Sequence, residues 1–147
     1  GTGLRVFREL GFTSVQGFDA SLVKTAAAVD AGYPVTHGDF HDLSAYGDAS
    51  FDIVYSSHSL EHAQDPGCVL REFHRVLVPG GQLSLVLPFP DAGTPEGHPA
   101  KHILGTVNDD NGDAVIKFIE AVGFTPISRR RDCVRETEIW LRFVKRP

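Results

Sequence analysis

The sequence predicts an α/β fold, a Rossmann-like mixed sheet flanked by helices, mostly parallel, with an antiparallel hairpin at the C-terminus. Short apolar strands alternate with helical segments between residues 15 and 87, and this alternation is typical of parallel sheets. The last two strand-like segments are joined by a short polar connection, which favours an antiparallel pair. Two acids, Asp19 and Asp39, each follow a strand, at the edge where ligands of such sheets bind.

Apolar spacing and end signals define the elements in order. The predicted helices are 2–10, 21–31, 66–77 and 109–122, and the predicted strands are 15–18, 33–37, 51–56, 83–87, 125–133 and 137–144. Ser21 and Asp65 are placed to cap their helices, and Pro66 suits a first helical position. Glycines at 11, 32 and 123 are expected to stop three helices, because glycine adopts the left-handed conformation that ends a helix.

The middle of the chain contains one buried strand, one tight turn and one irregular segment. Segment 51–56 is strongly apolar, as expected for a strand covered on both faces. Pro79-Gly80-Gly81 predicts a tight turn before the next strand. Pro88 to Gly105 contains four prolines and three glycines and is not expected to be regular. A lid over the substrate and a disordered surface loop are both open for this segment.

Length and composition indicate a single domain spanning residues 1–147. An apolar fraction of 41% and a charged fraction of 22% are ordinary for a globular protein. The net charge of −5 argues against nucleic acid as a partner, because phosphate binding needs a basic face. The basic run 129–131 has acidic neighbours and is expected to be a solvated strand end.

Two further features of the composition concern the compartment. Cys68 and Cys133 lack the spacing of a redox motif and are expected to be reduced thiols, although a pairing between them stays open. No stretch is long enough to span a membrane. The sequence therefore predicts a cytoplasmic protein with no membrane partner.

Motifs from Gly1 to about Phe89 resemble those of the class I S-adenosylmethionine-dependent methyltransferases, in particular the methyltransferase type 11 group. The most specific combination is a Leu-x-Pro-Gly-Gly turn that leads into an apolar strand, with Leu60-Glu61-His62 before it. Asp19 and the initial Gly-x-Gly are weaker signals, since dinucleotide-binding folds carry both. Val6 occupies a position where a nicotinamide-binding fold needs a small residue, which counts against that alternative.

The resemblance implies S-adenosylmethionine as the cofactor and assigns the first residues that hold it. Gly1 and Gly3 correspond to the last two glycines of the family's loop, where the backbone approaches the methionine part of the cofactor. Asp19, followed by Ala20, corresponds to the acid that holds the ribose hydroxyls. A carboxylate suits this position because it accepts hydrogen bonds from two vicinal hydroxyls at once.

The same resemblance assigns residues after two later strands. Gly38, Asp39 and Phe40 are similar to the adenine-binding segment, in which the acid accepts a hydrogen bond from the exocyclic amine. Ser56 and His58 belong to the segment that lines the methyl-transfer face in the family. Ser56 is therefore included with the cofactor-binding residues, and His58 is the candidate catalytic base.

One departure from the family concerns its first strand, which is central in the family's sheet and has no counterpart in this sequence. Loss of a central strand would unpair two strand edges and expose their apolar neighbours. Three explanations are open: residues that precede Gly1, a truncated gene fragment, or a strand supplied by another chain in a homodimer. The domain is accordingly interpreted as N-terminally incomplete.

Histidines four residues apart raise the question of a metal. The three pairs are 37/41, 58/62 and 98/102. Only His58 and His62 could share a helical turn, as a metal site would require, and we expect hydrogen-bonded histidines with no metal there. His58 follows its strand directly and could remove a proton from a hydroxyl or amine, because histidine titrates near working pH. A residue that only shapes the pocket wall is the alternative for His58.

Two functions of different classes fit the sequence. The first is methyl transfer from S-adenosylmethionine to a small-molecule acceptor, with transfer to O, N or C left open. The second is a non-catalytic or truncated domain of the same fold that acts as a structural or oligomer partner. The missing strand favours the second hypothesis, and acids at both strand ends oppose it. A nicotinamide-dependent enzyme is a third and weaker hypothesis.

Overall fold

A computed structural model of the protein describes residues 2–88, 112–132 and 138–147. The helices are α1 (Thr2–Glu9), α2 (Leu22–Asp30), α3 (Pro66–Val76) and α4 (Asp113–Val122), with a short 3-10 helix at Leu60–His62. The strands are β1 (Gly17–Asp19), β2 (Val35–His37), β3 (Phe51–Ser57), β4 (Leu77–Pro88), β5 (Phe124–Asp132) and β6 (Glu138–Lys145). The chain folds into two compact units, Gly1–Leu43 and Ser44–Pro147, and the expectation of a single domain stays a prediction.

The first unit contains a two-stranded parallel sheet. Strands β1 and β2 pair in a register that places Gly17 opposite Val35 and Asp19 opposite His37. Helix α2 connects them and begins as expected at Ser21, whose hydroxyl accepts a hydrogen bond from the Lys24 amide. Gly32, with φ of +81°, follows the end of this helix. The two strands therefore end side by side.

The second unit contains a four-stranded mixed sheet in the order β3-β4-β6-β5. Strands β3 and β4 are parallel, whereas β6 is antiparallel to both β4 and β5. The predicted mixed α/β fold with an antiparallel C-terminal hairpin is confirmed. Among the strands that the structure describes, β1 pairs only with β2. Strand β3 lies at one edge of the four-stranded sheet and pairs only with β4. The explanations for the missing family strand stay open.

The predicted Pro79-Gly80-Gly81 turn lies inside β4. Phe51 pairs with Leu77 and Ile53 with Gln82, so residues 78–81 bulge out between two paired segments of the strand. Gly80 has φ of +76°, which a residue with a Cβ adopts only with strain. Because local signals do not reveal pairing on both sides of a bulge, the sequence predicted a strand that begins only after the turn.

The core of the second unit lies between one face of its sheet and helices α3 and α4. Alternate residues of the central strands are fully buried there: Leu83, Leu85, Leu87, Ile139, Leu141 and Phe143. Helix α3 contributes Val69, Leu70 and Phe73, and begins at Asp65, whose Oδ1 accepts a hydrogen bond from the Cys68 amide at 2.9 Å. On β3, however, Ile53 and Tyr55 are each 40% exposed, so the expectation that both faces of this strand are covered was wrong.

His74 on α3 makes the stability of this unit depend on pH. Its ring packs edge-on against Phe124, and burial, assisted by the charge of Lys145, lowers the pKa of His74 below its ordinary value of 6.5. The unfolded chain therefore binds a proton more readily than the folded chain. This contribution to stability is complete above about pH 7.5 and is lost progressively as the pH falls through the ordinary value toward the lower folded one.

We expect the free energy of unfolding to fall more steeply between about pH 7.5 and pH 5.5 in the wild type than in the variant His74→Gln. Urea unfolding at several pH values, followed by circular dichroism, measures both slopes. Groups that titrate elsewhere in the chain contribute equally to the two proteins. Identical slopes would contradict the role of His74.

The remaining predictions concern the 88–105 segment, the two cysteines, Gly1 and membrane-spanning segments. Only Pro88 of the 88–105 segment belongs to the described residues, so the lid and loop alternatives lie outside them, as do Cys133 and Gly1. Cys68 is half-buried, and the question of a pairing with Cys133 stays open. Within the described ranges, no helix combines the length and the apolar character that crossing a membrane requires.

Candidate functional site

The predicted ribose-binding acid lies where the strands of the first unit end. Asp19 is the last residue of β1, and Gly38, directly after β2, donates its amide to the Asp19 carbonyl at 3.2 Å. The half-buried Asp19 carboxylate accepts a hydrogen bond from the Ser21 amide through Oδ1 at 2.8 Å. No donor from the described residues reaches its Oδ2. The carboxylate thus keeps an oxygen with which to accept from a ligand hydroxyl.

Asp39 carries the second carboxylate of this unit. Its Oδ1 accepts from the His41 amide at 3.0 Å and lies 2.5 Å from His41 Nδ1. The hydrogen bond from the His41 amide, and then that from the ring, lower the pKa of the Asp39 carboxyl below its ordinary value. Asp39 is therefore ionised at neutral pH, and its side chain is 71% exposed.

Close backbone approach explains the glycine that precedes Asp39. A Cβ at position 38 would lie 2.7 Å from Cζ of Phe18, so a larger residue would displace that ring. Phe40 is half-buried, and its ring packs edge-on against the His41 ring. Ala20 contributes a carbonyl oxygen, which accepts from Nε2 of His37 at 3.2 Å.

The initial glycines are placed differently from each other. Gly1 lies outside the described residues, whereas Gly3 belongs to the first turn of α1, and a Cβ there would meet no atom within 4 Å. The structure thus brings together one group of predicted residues in the first unit: Asp19, Ala20, Gly38, Asp39 and Phe40. Ser56 and His58 belong to the second unit. The cofactor roles of this group, with those of Gly1, Gly3 and Ser56, stay predictions, as does the role of His58 as the base.

His58 follows β3 in a strained backbone conformation, with φ of +48°. Its amide donates to the Val86 carbonyl at 2.9 Å, and its ring Nε2 lies 2.7 Å from Oε1 of Glu138. Because a carboxylate only accepts hydrogen bonds, Nε2 is the nitrogen that carries the proton. Ser56, two residues earlier, is 8% exposed within β3.

Further polar groups surround the imidazole of His58. Oε2 of Glu138 accepts a hydrogen bond from the Trp140 indole at 3.1 Å. Glu61 is 3% exposed, and its Oε1 lies 3.9 Å from Nδ1 of His58 and 3.7 Å from Nε2 of His62. In the part of the chain that the structure describes, no group of three or more histidines, cysteines or acids is arranged to hold a metal ion.

Sequence reasoning did not identify Glu138 and Trp140 as partners of the site. Glu138 is 80 residues away from His58, and no local pattern connects them. The predicted antiparallel hairpin could have indicated this position. The first residue of a strand that runs antiparallel to its neighbours lies at the edge of the sheet where those neighbours end. Glu138 begins β6 and is paired with Pro88, the last residue of β4.

Comparison with known families and solved structures identifies the fold. Residues 1–85 match the family described as a methyltransferase domain. A 59-residue segment, 40% of the chain, is 52% identical to the 27-O-demethylrifamycin SV methyltransferase of Amycolatopsis mediterranei. The matched segments span only 21% and 30% of the lengths of the curated relatives that the chain matches.

Solved structures share the fold at low sequence identity. The [4+2]-cyclase SpnF superposes with a TM-score of 0.79 at 19% identity, over 98% of this chain and 70% of the cyclase. The 1,6-didemethyltoxoflavin N1-methyltransferase of Burkholderia thailandensis, solved with 1,6-didemethyltoxoflavin and S-adenosylhomocysteine, superposes with a TM-score of 0.76 at 18% identity. That superposition covers all of this chain and 67% of the enzyme. Since the family match covers more than half of the chain, the protein belongs to the methyltransferase domain family, and the predicted membership of the S-adenosylmethionine-dependent methyltransferases is confirmed.

Proposed function

We propose that this protein transfers a methyl group from S-adenosylmethionine to a small-molecule acceptor. The observation that carries the proposal is the pair of carboxylates, Asp19 and Asp39, at the carboxyl ends of two adjacent parallel strands within the segment matched by the family. A domain that served only as a structural partner would have no need for acids at both of these strand ends. The non-catalytic alternative is therefore the less favoured one.

The residues of the first unit suit the ribose and adenine parts of the cofactor. Asp19, beside Ala20, has one carboxylate oxygen that accepts no hydrogen bond from the described residues. This oxygen can accept from the ribose hydroxyls. Asp39 offers an ionised carboxylate to the adenine amine. Because Phe18 leaves no room for a Cβ at position 38, the backbone before Asp39 carries no side chain. Phe40 adds an apolar surface. Gly1, Gly3 and Ser56 complete the proposed cofactor-binding set.

His58 is the proposed base for the acceptor. S-adenosylmethionine supplies a methyl group on a positively charged sulfonium, so that its carbon is electrophilic. The nucleophile must lose a proton as it is methylated, and a positioned imidazole can act as the general base that accepts this proton. Because Nε2 of His58 donates to Glu138, the proton would arrive at Nδ1.

The acceptor is proposed to be a small molecule, with O, N or C as the methylated atom. Two similar proteins carry names that specify methylation of a small molecule, 27-O-demethylrifamycin SV in one and 1,6-didemethyltoxoflavin in the other. The net charge of −5 disfavours nucleic acid. A homodimer and a cytoplasmic location stay predictions.

Calorimetric titration of the 147-residue chain with S-adenosylhomocysteine tests the cofactor site, and we expect micromolar binding. Transfer of labelled methyl groups to a panel of phenols, amines and enolisable ketones then tests the reaction. His58→Ala is expected to lower kcat by about 10²-fold or more on an acceptor whose proton must be removed. Failure to bind S-adenosylhomocysteine, together with no methyl transfer, would favour the non-catalytic domain. A fluorescence titration with reduced nicotinamide dinucleotide tests the third hypothesis.

A further inference from the structure

Glu138 is the side chain most closely tied to the proposed base. Its Oε1 lies 2.7 Å from Nε2 of His58, and the two side chains are 21% and 37% exposed. The backbone of His58 is also held, because its amide donates to Val86 and its φ of +48° is strained for a residue with a Cβ. Such strain persists only where the surroundings over-determine the conformation. The contact with Glu138 is one of the interactions that do so.

Glu138 itself is held by contacts on its own strand, β6, and on the two neighbouring strands. The Trp140 indole N–H donates to Oε2 of Glu138 at 3.1 Å, which leaves Oε1 directed to the imidazole. The Arg130 guanidinium lies over the Trp140 ring, 5.2 Å from its centroid. Glu138 also pairs through its backbone with Pro88 on one side and Asp132 on the other. The carboxylate is thus presented from a sheet, which is more rigid than a loop.

The direction of the hydrogen bond determines which imidazole nitrogen is basic. The carboxylate can only accept, so Nε2 of His58 keeps its hydrogen and Nδ1 keeps its lone pair. Nδ1 is 3.9 Å from Oε1 of the buried Glu61, too far for a hydrogen bond but within range of Coulomb attraction once the ring is charged. The imidazolium ring formed when Nδ1 takes a proton would therefore lie between two acidic side chains, Glu138 at Nε2 and Glu61 near Nδ1.

We propose that Glu138 is a positioning residue for His58, which it holds in the tautomer with the proton on Nε2 so that Nδ1 removes the proton of the acceptor. This inference rests on the proposed function. The O–H or N–H bond of the acceptor breaks, its proton moves to Nδ1, and its electron pair forms the bond to the methyl carbon as the bond from carbon to sulfur breaks. The product is the methylated acceptor with a neutral thioether, and Nε2–H stays donated to Glu138 throughout.

Acceptors that differ only in their need for a base provide the sharpest test. Phenol is protonated at a mildly alkaline assay pH, whereas 4-nitrophenol is largely ionised, and an equivalent pair is chosen on whichever scaffold the methyl-transfer screen identifies. Glu138→Gln is expected to lower kcat by about 10- to 100-fold on the protonated acceptor and by no more than about 2-fold on the ionised one. Glu120→Gln, a change on α4 outside this cluster, serves as the matched control.

The outcomes separate this proposal from the proposed function. An equal loss on both acceptors, or no loss on either, would overturn the positioning role while methyl transfer by the wild type stands. Absence of methyl transfer by the wild type to every acceptor, with no binding of S-adenosylhomocysteine, would overturn the proposed function, and the positioning role with it.

A spectroscopic readout is independent of turnover. In protein labelled with ¹⁵N-histidine, a neutral His58 held by Glu138 is expected to show a hydrogen-bonded Nε2–H resonance that exchanges slowly with water. Glu138→Ala should abolish the slow exchange, and Trp140→Phe should accelerate it to a smaller degree because Glu138 loses one donor. A His58 ring that is protonated at Nδ1 in the neutral wild type would overturn the proposal.

Discussion

Replacement of Phe143 with alanine is expected to lower the free energy of unfolding by about 3–5 kcal/mol, the largest effect that we expect of a single substitution in the second unit. The side chain is fully buried on β6, between the neighbouring strands β4 and β5. It is opposite Leu83 on β4 and Pro126 on β5, and its ring lies 6.4 Å from that of Phe124. Because these partners belong to paired strands, they cannot move inward to fill the cavity.

Urea unfolding followed by circular dichroism measures this loss. Arg142→Ala is the matched control, because Arg142 is the preceding residue of the same strand and points to the other, exposed face. We expect the control to change the free energy of unfolding by no more than about 0.5 kcal/mol. Should Phe143→Ala fail to fold, Phe143→Leu is expected to fold with a smaller loss. Equal stability of Phe143→Leu and the wild type would contradict the position of the ring in the core.

Replacement of Asp19 with alanine is expected to weaken binding of S-adenosylhomocysteine by about 10- to 100-fold, which corresponds to about 1.5–3 kcal/mol for lost charge-assisted hydrogen bonds. The substitution removes the carboxylate proposed to accept from the ribose hydroxyls. It also removes the acceptor of the Ser21 amide at the entry to α2. Calorimetry at fixed ionic strength measures the change, and a thermal melt of the variant detects any loss of folded protein.

Two further variants separate charge from local structure. Asp19→Asn keeps an oxygen for the Ser21 amide but loses the negative charge, so we expect an affinity between those of Asp19→Ala and the wild type. Asp30→Asn removes a carboxylate at the exposed end of α2, outside the proposed site, and should leave binding within about 2-fold of the wild type. An unchanged affinity of Asp19→Ala would exclude Asp19 from the cofactor site.

Helix starts were predictable because the side chains that accept hydrogen bonds from the first helical amides lie within a few residues of those amides. Ser21 bonds to the Lys24 amide, and Asp65 bonds to the Cys68 amide, as the two caps predicted. Strand bounds were less predictable, since a strand begins and ends where its partner does. β1 was predicted over 15–18 and pairs over Gly17–Asp19, the length of its register with β2.

The acids at the strand ends could be predicted for the same local reason. The pattern of an apolar strand followed by an acid determines that Asp19 and Asp39 lie at carboxyl ends, and in a parallel pair such ends are adjacent. The pattern does not determine what else each carboxylate bonds to. The pairing of Asp39 with the ring of His41 depends on a side-chain rotamer, which no spacing specifies.

By itself, the sequence therefore determined the order and type of the elements, the family, and the residues that follow each strand. Only the tertiary structure decided which distant side chains meet. Glu138 reaches His58 across 80 residues because β6 runs antiparallel and brings its first residue to the edge where β3 ends. Hydrophobic periodicity records which face of an element is buried, but it carries no record of the partner across the sheet, since that contact depends on register and strand order.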